Sequence, residues 1–189
     1  MDQSGYVTAI SEGSAVITAS IGGKSASCSV TVTGFTDNGS YKDASDAYSA
    51  INSFRTGTEN QWYWNEDNTT KTETPGLAGL SVDASLEDTA KLRAKEAWIQ
   101  YYVNGVATHN RPDGSNCFTA YPSGLSAMGE NLAWGYGSGS SVVSGWAETS
   151  ENYAGQGHRR NMLSSNFTKV GIACYAKDGK TCWAMCLGR

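Results

Sequence analysis

The spacing of apolar residues changes along the chain, and that change sets what the chain can fold into. Residues 6–33 alternate apolar and polar positions and are rich in Val, Ile and Thr. Tyr6–Ile10, Ala15–Ala19 and Ala26–Val32 read as three short strands, separated by Glu12-Gly13-Ser14 and Gly22-Gly23-Lys24. Three strands cannot close a sandwich, so this stretch is an incomplete β unit whose edges need another partner or stay open. Past it, Ala44, Ala47, Tyr48, Ile51, Phe54 and Arg55 recur at helical spacing behind Asp43-Ala44-Ser45-Asp46. The chain therefore divides into a β fragment over 1–34, a linker over 35–40 around the turn signal Asp37-Asn38-Gly39-Ser40, and a mixed α and β domain over 41–189.

Within that domain the plainest helix begins at the Ser85-Leu86-Glu87-Asp88 capping box. It carries Leu86, Ala90, Arg93, Ala94, Ala97, Trp98 and Tyr101 on one stripe and stops at Asn104-Gly105. Its alanines predict close packing on a sheet or another helix. Trp62, Tyr63 and Trp64 form an aromatic run that reads as satellite core or a stacking surface. A further helix is predicted from about Ser140 to Tyr153, with Val142, Trp146, Thr149 and Tyr153 on one face and Glu148 and Glu151 opposite. The chain ends in a hairpin turning at Asp178-Gly179, with Cys174 opposite Trp183 and Cys182 on the other face.

The net charge is −4, and no basic cluster extends beyond Arg159-Arg160, so the electrostatic footprint of nucleic-acid binding is missing. No apolar run approaches the roughly 20 residues that span a bilayer, and no basic start followed by an apolar block opens the chain. The five cysteines include no Cys-x-x-Cys pair, which argues against zinc ribbons and thioredoxin-like centres. Cys28, in an alternating strand, reads as a small buried hydrophobe.

The chain has only two histidines. His109 follows the capped helix and precedes the Pro112-Asp113-Gly114 turn. His158 follows Gly155-Gln156-Gly157, where glycine lets the backbone bend sharply. Glu130, in Gly129-Glu130-Asn131-Leu132-Ala133, is a carboxylate drawn toward the interior that needs a partner, and histidine is a natural one. An exposed glutamate at a strand start is the alternative.

Four segments in order carry a resemblance: His109-Asn110-Arg111-Pro112-Asp113-Gly114, Gly129–Ala133, a Trp146-bearing helix, and Gly157-His158-Arg159-Arg160-Asn161-Met162-Leu163 followed by Asn166–Ala173. Together they resemble the CAP superfamily of cysteine-rich secretory proteins, antigen 5 and pathogenesis-related-one proteins, in its bacterial secreted branch. The first residues resemble the tail of a bacterial immunoglobulin-like repeat. The resemblance implies an α+β fold, a three-layer α-β-α sandwich with a central antiparallel sheet, and a cleft formed by His109, Glu130 and His158. The family's second acid falls on Thr149 here, so the fourth cleft residue lies among Glu148, Glu151 and Gln156, with Glu148 taken for the cleft.

Two imidazoles and one carboxylate can fill three positions on a divalent cation such as Zn, with His109 and His158 as metal ligands and no metal needed for folding. The expected protein is an extracellular module that binds a small, lipid-like ligand or another extracellular protein, secreted or attached to a cell wall, with self-association through the N-terminal strands. Two alternatives stand beside it. One is a metal-assisted hydrolase of peptide or cell-wall material with Glu130 as its base. The other is a structural module whose histidines form only a hydrogen-bond network. No nucleophile is marked by its setting; Cys117, close to His109, is the weak candidate.

Overall fold

The computed structural model describes residues 7, 13–32, 34 and 37–189. The chain separates into two compact units, Met1–Asn38 and Gly39–Arg189. In the first, β1 (Gly13–Ile21) and β2 (Lys24–Val32) pair antiparallel from Gly13↔Val32 to Ile21↔Lys24. Gly22 and Gly23 close the hairpin at φ 57° and 77°, the left-handed pair that a two-residue turn requires. The expected strand over residues 6–10 lies outside the described residues apart from Val7. Cys28 is exposed, which corrects its reading as a buried residue. It stands opposite the half-buried Ile17 on the apolar side of the hairpin, and among the described residues no third strand joins the pair.

The second unit is built on a five-stranded sheet. Strands β3 (Ser40–Lys42), β8 (Lys169–Lys177), β9 (Lys180–Gly188) and β7 (Met128–Trp134) run antiparallel in that order. The short β6 (Ser81–Val82) joins β8 in parallel, so the sheet is not wholly antiparallel as expected. Separately, β4 (Trp62–Trp64) and β5 (Lys71–Glu73) form a small hairpin. The β8–β9 turn falls at Asp178 and Gly179, both at positive φ, and sets Cys174 opposite Trp183 and Tyr175 opposite Cys182.

Alternation divides the sheet's side chains between two helical surfaces. Val170, Ile172, Cys174, Trp183, Met185 and Leu187 share a core with Ala47 and Ile51 of α1 (Ser45–Thr56), with Val142, Val143 and Trp146 of α3 (Gly139–Trp146), and with Met162 of α4 (Gly157–Met162). The opposite face is lined by small residues, among them Gly171, Ala173, Cys182, Ala184 and Cys186, and receives α2 (Ala84–Tyr102). Contact there is close: a Cβ on Gly171 would come within 2.0 Å of the Leu86 carbonyl carbon. Small residues on both surfaces let the helix backbone approach the strands, as the alanine stripe predicted. All five cysteines are free thiols.

Two helix boundaries differ from expectation. Asp83, not Ser85, caps α2, accepting from the Ser85 and Leu86 backbone N–H groups at 3.0 and 3.2 Å. Helix α3 stops at Trp146 rather than near Tyr153, and Glu148 two residues on adopts φ 44°. That left-handed residue breaks the helical wheel on which Glu148 was placed, with consequences for the site. Among the described residues no helix is long and apolar enough to cross a membrane.

Candidate functional site

Glu130 lies in the middle of β7, its carboxylate almost fully buried. Arg93, fully buried on α2, reaches it with Nε at 2.7 Å and Nη2 at 3.3 Å. The same guanidinium donates to Glu96 at 2.5 Å and to the His109 carbonyl at 2.9 Å. His109 Nδ1 then meets Glu130 Oε1 at 2.8 Å, so one carboxylate joins three donors. Burial pushes the Glu130 carboxyl up, but the hydrogen bonds from His109 and Arg93 and the charge of Arg93 outweigh it and hold the group below the usual range. Glu96 in turn takes both Arg111 Nε and Nη2, at 3.1 and 2.7 Å, which ties the His109 loop to α2. The Arg93 charge was visible in the sequence on an otherwise apolar stripe, and a charge there requires a partner. Its role in the site was not read from it.

The second histidine meets a second carboxylate. His158 Nδ1 lies 2.5 Å from Glu148 Oε1, while Glu148 Oε2 accepts from the His158 and Arg159 backbone N–H groups at 3.0 and 3.2 Å. The left-handed turn after α3 swings this side chain toward α4. Thr149 and Glu151 are exposed, so among the residues weighed for the fourth position it is Glu148 that contacts a histidine. Gln156 is fully buried and bonds the Trp64 backbone N–H and the Glu148 carbonyl, away from both imidazoles.

Two asparagines link the halves. Asn161 Nδ2 donates to the Glu130 carbonyl at 3.2 Å and to Asn131 Oδ1 at 2.8 Å, and Asn131 Nδ2 donates to the His158 carbonyl at 3.1 Å. They stand beside Glu130 and His158 in the motifs, but no sequence signal separated them from ordinary loop asparagines. An open cavity of about 290 Å³ borders the first half, lined by His109, Cys117, Phe118, Met128, Glu130 and Asn161. His158 and Glu148 do not line it.

Both imidazoles use Nδ1 on a carboxylate, and Nε2 of each has no hydrogen-bond partner among the described residues. The His109 side chain is 52% exposed and that of His158 32%. The expected third metal position is corrected: the Glu130 carboxylate is 1% exposed and already holds Arg93 and His109. Among the described residues no three His, Cys, Asp or Glu side chains cluster as a metal site. Cys117 is no activated nucleophile, since burial pushes its thiol up to about 11.

A family model described as the cysteine-rich secretory protein family, CAP, matches residues 48–187. The uncharacterized protein YkwD of Bacillus subtilis (strain 168) is 30% identical over 107 residues, 55% of this chain, and the match spans only 37% of that protein's length. Among solved structures, an outer surface protein of Borrelia burgdorferi superposes with a TM-score of 0.53 at 21% identity, over 80% of this chain and 98% of that one, a likeness of fold alone. NaASP2, solved with Zn2+, overlaps 82% of this chain and 83% of its own at 15% identity, but its TM-score of 0.47 is too low to bear on the site. With the family match spanning more than half its length, the chain belongs to the CAP family of cysteine-rich secretory proteins.

Proposed function

We propose that the chain is an extracellular binding module whose cleft presents two imidazole Nε2 atoms to a divalent cation or a small ligand. One observation carries the reading: each histidine is fixed through Nδ1 by its own carboxylate, the arrangement that orients metal-binding imidazoles in carboxylate–histidine–metal sites. A bound Zn would supply Lewis acidity, with His109 and His158 as its protein ligands and water or ligand atoms completing its shell. Two protein ligands make a weak, exchangeable site, and an apolar core packed without either imidazole agrees with folding that needs no metal. Phe118 and Met128 beside His109 give the cavity an apolar wall suited to a small lipid-like molecule. The family supports secretion or attachment to a cell surface. The packing of α2 on one sheet face, with α1 and α3 on the other, supports the three-layer reading. The exposed Cys28 and the half-buried Ile17 opposite it on the β1–β2 hairpin support an incomplete immunoglobulin-like fragment that self-associates.

Hydrolysis draws no support from this geometry. Glu130 is engaged by Arg93 and His109 and held below the usual carboxylate range, which makes it a poor general base. Calorimetric titration of the purified chain with Zn2+ tests the binding reading. One ion should be taken up by the wild type, with at least tenfold weaker uptake by His109→Ala and by His158→Ala. No uptake by the wild type would leave the histidines as a hydrogen-bond network and overturn the metal reading.

A further inference from the structure

The His158 half of the site is held from outside by the β4–β5 hairpin. Asn65 N–H donates to the Thr70 carbonyl and Thr74 N–H to the Gln61 carbonyl, so the odd-numbered residues of β4 turn toward β5. The even-numbered ones, Trp62 and Trp64, turn their backbone groups outward along an edge that no third strand joins among the described residues. Such an edge carries donors and acceptors that must be satisfied. Two side chains from the His158 segment satisfy it. Gln156 Oε1 accepts from the Trp64 N–H at 2.7 Å, and Arg159 donates from Nε to the Trp62 carbonyl and from Nη2 to the Asn60 carbonyl.

The same two side chains turn their remaining donors on the loop that carries the carboxylate. Gln156 Nε2 donates to the Glu148 carbonyl at 3.1 Å, and Arg159 Nη1 donates to the Ala147 carbonyl at 2.5 Å. Both are fully buried. The carbonyls of Ala147 and Glu148 are thus fixed at the point where the backbone enters its left-handed conformation, which a glutamate adopts only when its surroundings enforce it. Aromatic packing stiffens the hairpin: Lys71 Nζ stands 3.4 Å from the centre of the Trp62 ring and the Arg159 guanidinium 4.8 Å from it. Lys71 also lies 4.6 Å from the Trp64 ring, so these tryptophans are occupied by cations. His109 is built differently, on Arg93, Glu130 and α2.

We infer that Gln156 and Arg159 are positioning residues, which transmit the β4–β5 hairpin to Glu148 and thereby fix the tautomer and orientation of His158, independently of His109. The inference rests on His158 belonging to the proposed site but not on what that site binds, so the test uses metal-free protein. With two histidines in the chain, long-range 1H–15N spectra of the full-length protein at a pH where both are neutral give one pattern for each ring. The wild type should show His158 protonated on Nδ1, donating to Glu148.

In Gln156→Met, which keeps the side-chain length and removes both amide bonds, the Nδ1–H population of His158 should be lost in favour of the Nε2–H form that free imidazole prefers in water. His109 should not move. Gln156→Glu keeps an acceptor for Trp64 and loses the donor to the Glu148 carbonyl. It gives the same result if Gln156→Met fails to fold. A folded variant with the His158 pattern unchanged, both histidines moving together, or a wild-type His158 protonated on Nε2 would each overturn the inference. Zinc uptake by the wild type with unchanged tautomers in these variants would overturn it while leaving the binding reading intact.

Discussion

Replacing Arg93 by Met keeps the length of the buried side chain and removes the cation that faces Glu130. In the wild type the guanidinium makes two bonds to Glu130, one to Glu96 and one to the His109 carbonyl, all inside the protein. Without it Glu96 retains Arg111, but Glu130 keeps only the half-exposed His109. Breaking a buried ion pair from one side costs about 3–5 kcal/mol, because the surviving charge is left without compensation. At about 2–4 °C per kcal/mol for a unit of this size, the midpoint of thermal unfolding should fall by roughly 6–20 °C at pH 7. The pH dependence supplies the sharper check. The wild-type Glu130 carboxyl is held below its unfolded value, so it contributes stability above about pH 4.5 that is lost as the pH falls through the folded value. In Arg93→Met the lowering by Arg93 is lost and only the His109 bond still opposes burial, so the group rises and protonation costs the variant less than the wild type. Urea unfolding at pH 7 and near pH 4.5 should therefore show the deficit shrinking on acidification. A loss below about 1 kcal/mol at pH 7, or a deficit equal at both pH values, would refute an ionised Glu130 compensated by Arg93.

Other consequences can be checked more briefly. Gly171→Ala should destabilise by about 3 kcal/mol or more in urea unfolding, since the added methyl meets the α2 backbone, which cannot rotate out of the way. Asp83→Ala should cost about 1 kcal/mol through loss of the α2 cap, with both histidine tautomers unchanged by NMR. In the native protein a thiol reagent should modify Cys28 at once. Cys117, Cys174, Cys182 and Cys186, buried and with raised thiol pKa, should react only on unfolding, which mass spectrometry of quenched samples can count. Glu148→Gln should weaken Zn2+ uptake about 10–100-fold by calorimetry, the usual effect of losing the carboxylate behind a metal-binding imidazole.

What could be read in the sequence follows from how local each determinant is. The α2 stripe, the Asp178-Gly179 turn and the pairing of Cys174 with Trp183 depend on neighbours a few residues away, and periodicity reveals such features directly. Glu130 could be singled out because a carboxylate inside an apolar strand needs a partner, although its main partner, Arg93, is 37 residues earlier on a helix. Glu148 is the instructive failure. A continuous helix through Tyr153 would have turned it away from His158. The chain leaves the helix at Ala147, held by Arg159 and Gln156 from the far side of a loop, and no periodic pattern encodes that exit. Cys28 failed for the opposite reason: alternation correctly placed it on the apolar side of its strand, but alternation cannot say whether anything covers that side.

The chemistry of the cleft follows from the same division of labour. Each glutamate has most of its acceptor positions filled: three of about four on Glu130 are taken by an arginine and an imidazole, and three of about four on Glu148 by an imidazole and two backbone N–H groups. In the proposed site the groups left for a ligand are the two Nε2 atoms, each behind an acid that is held by a separate set of bonds: Arg93 on α2 for His109, and, on the inference above, the β4–β5 hairpin for His158. Asn131 and Asn161 join the networks through backbone carbonyls, not through the imidazoles. A ligand that engages both rings would therefore couple two otherwise independent supports. Its binding should protect the backbone amides of the β4–β5 hairpin and of the 108–120 loop from hydrogen exchange together, although neither segment need touch it. Zn2+ that slows exchange in one segment alone would show that only one histidine holds the ion, and would remove the shared cleft from the account.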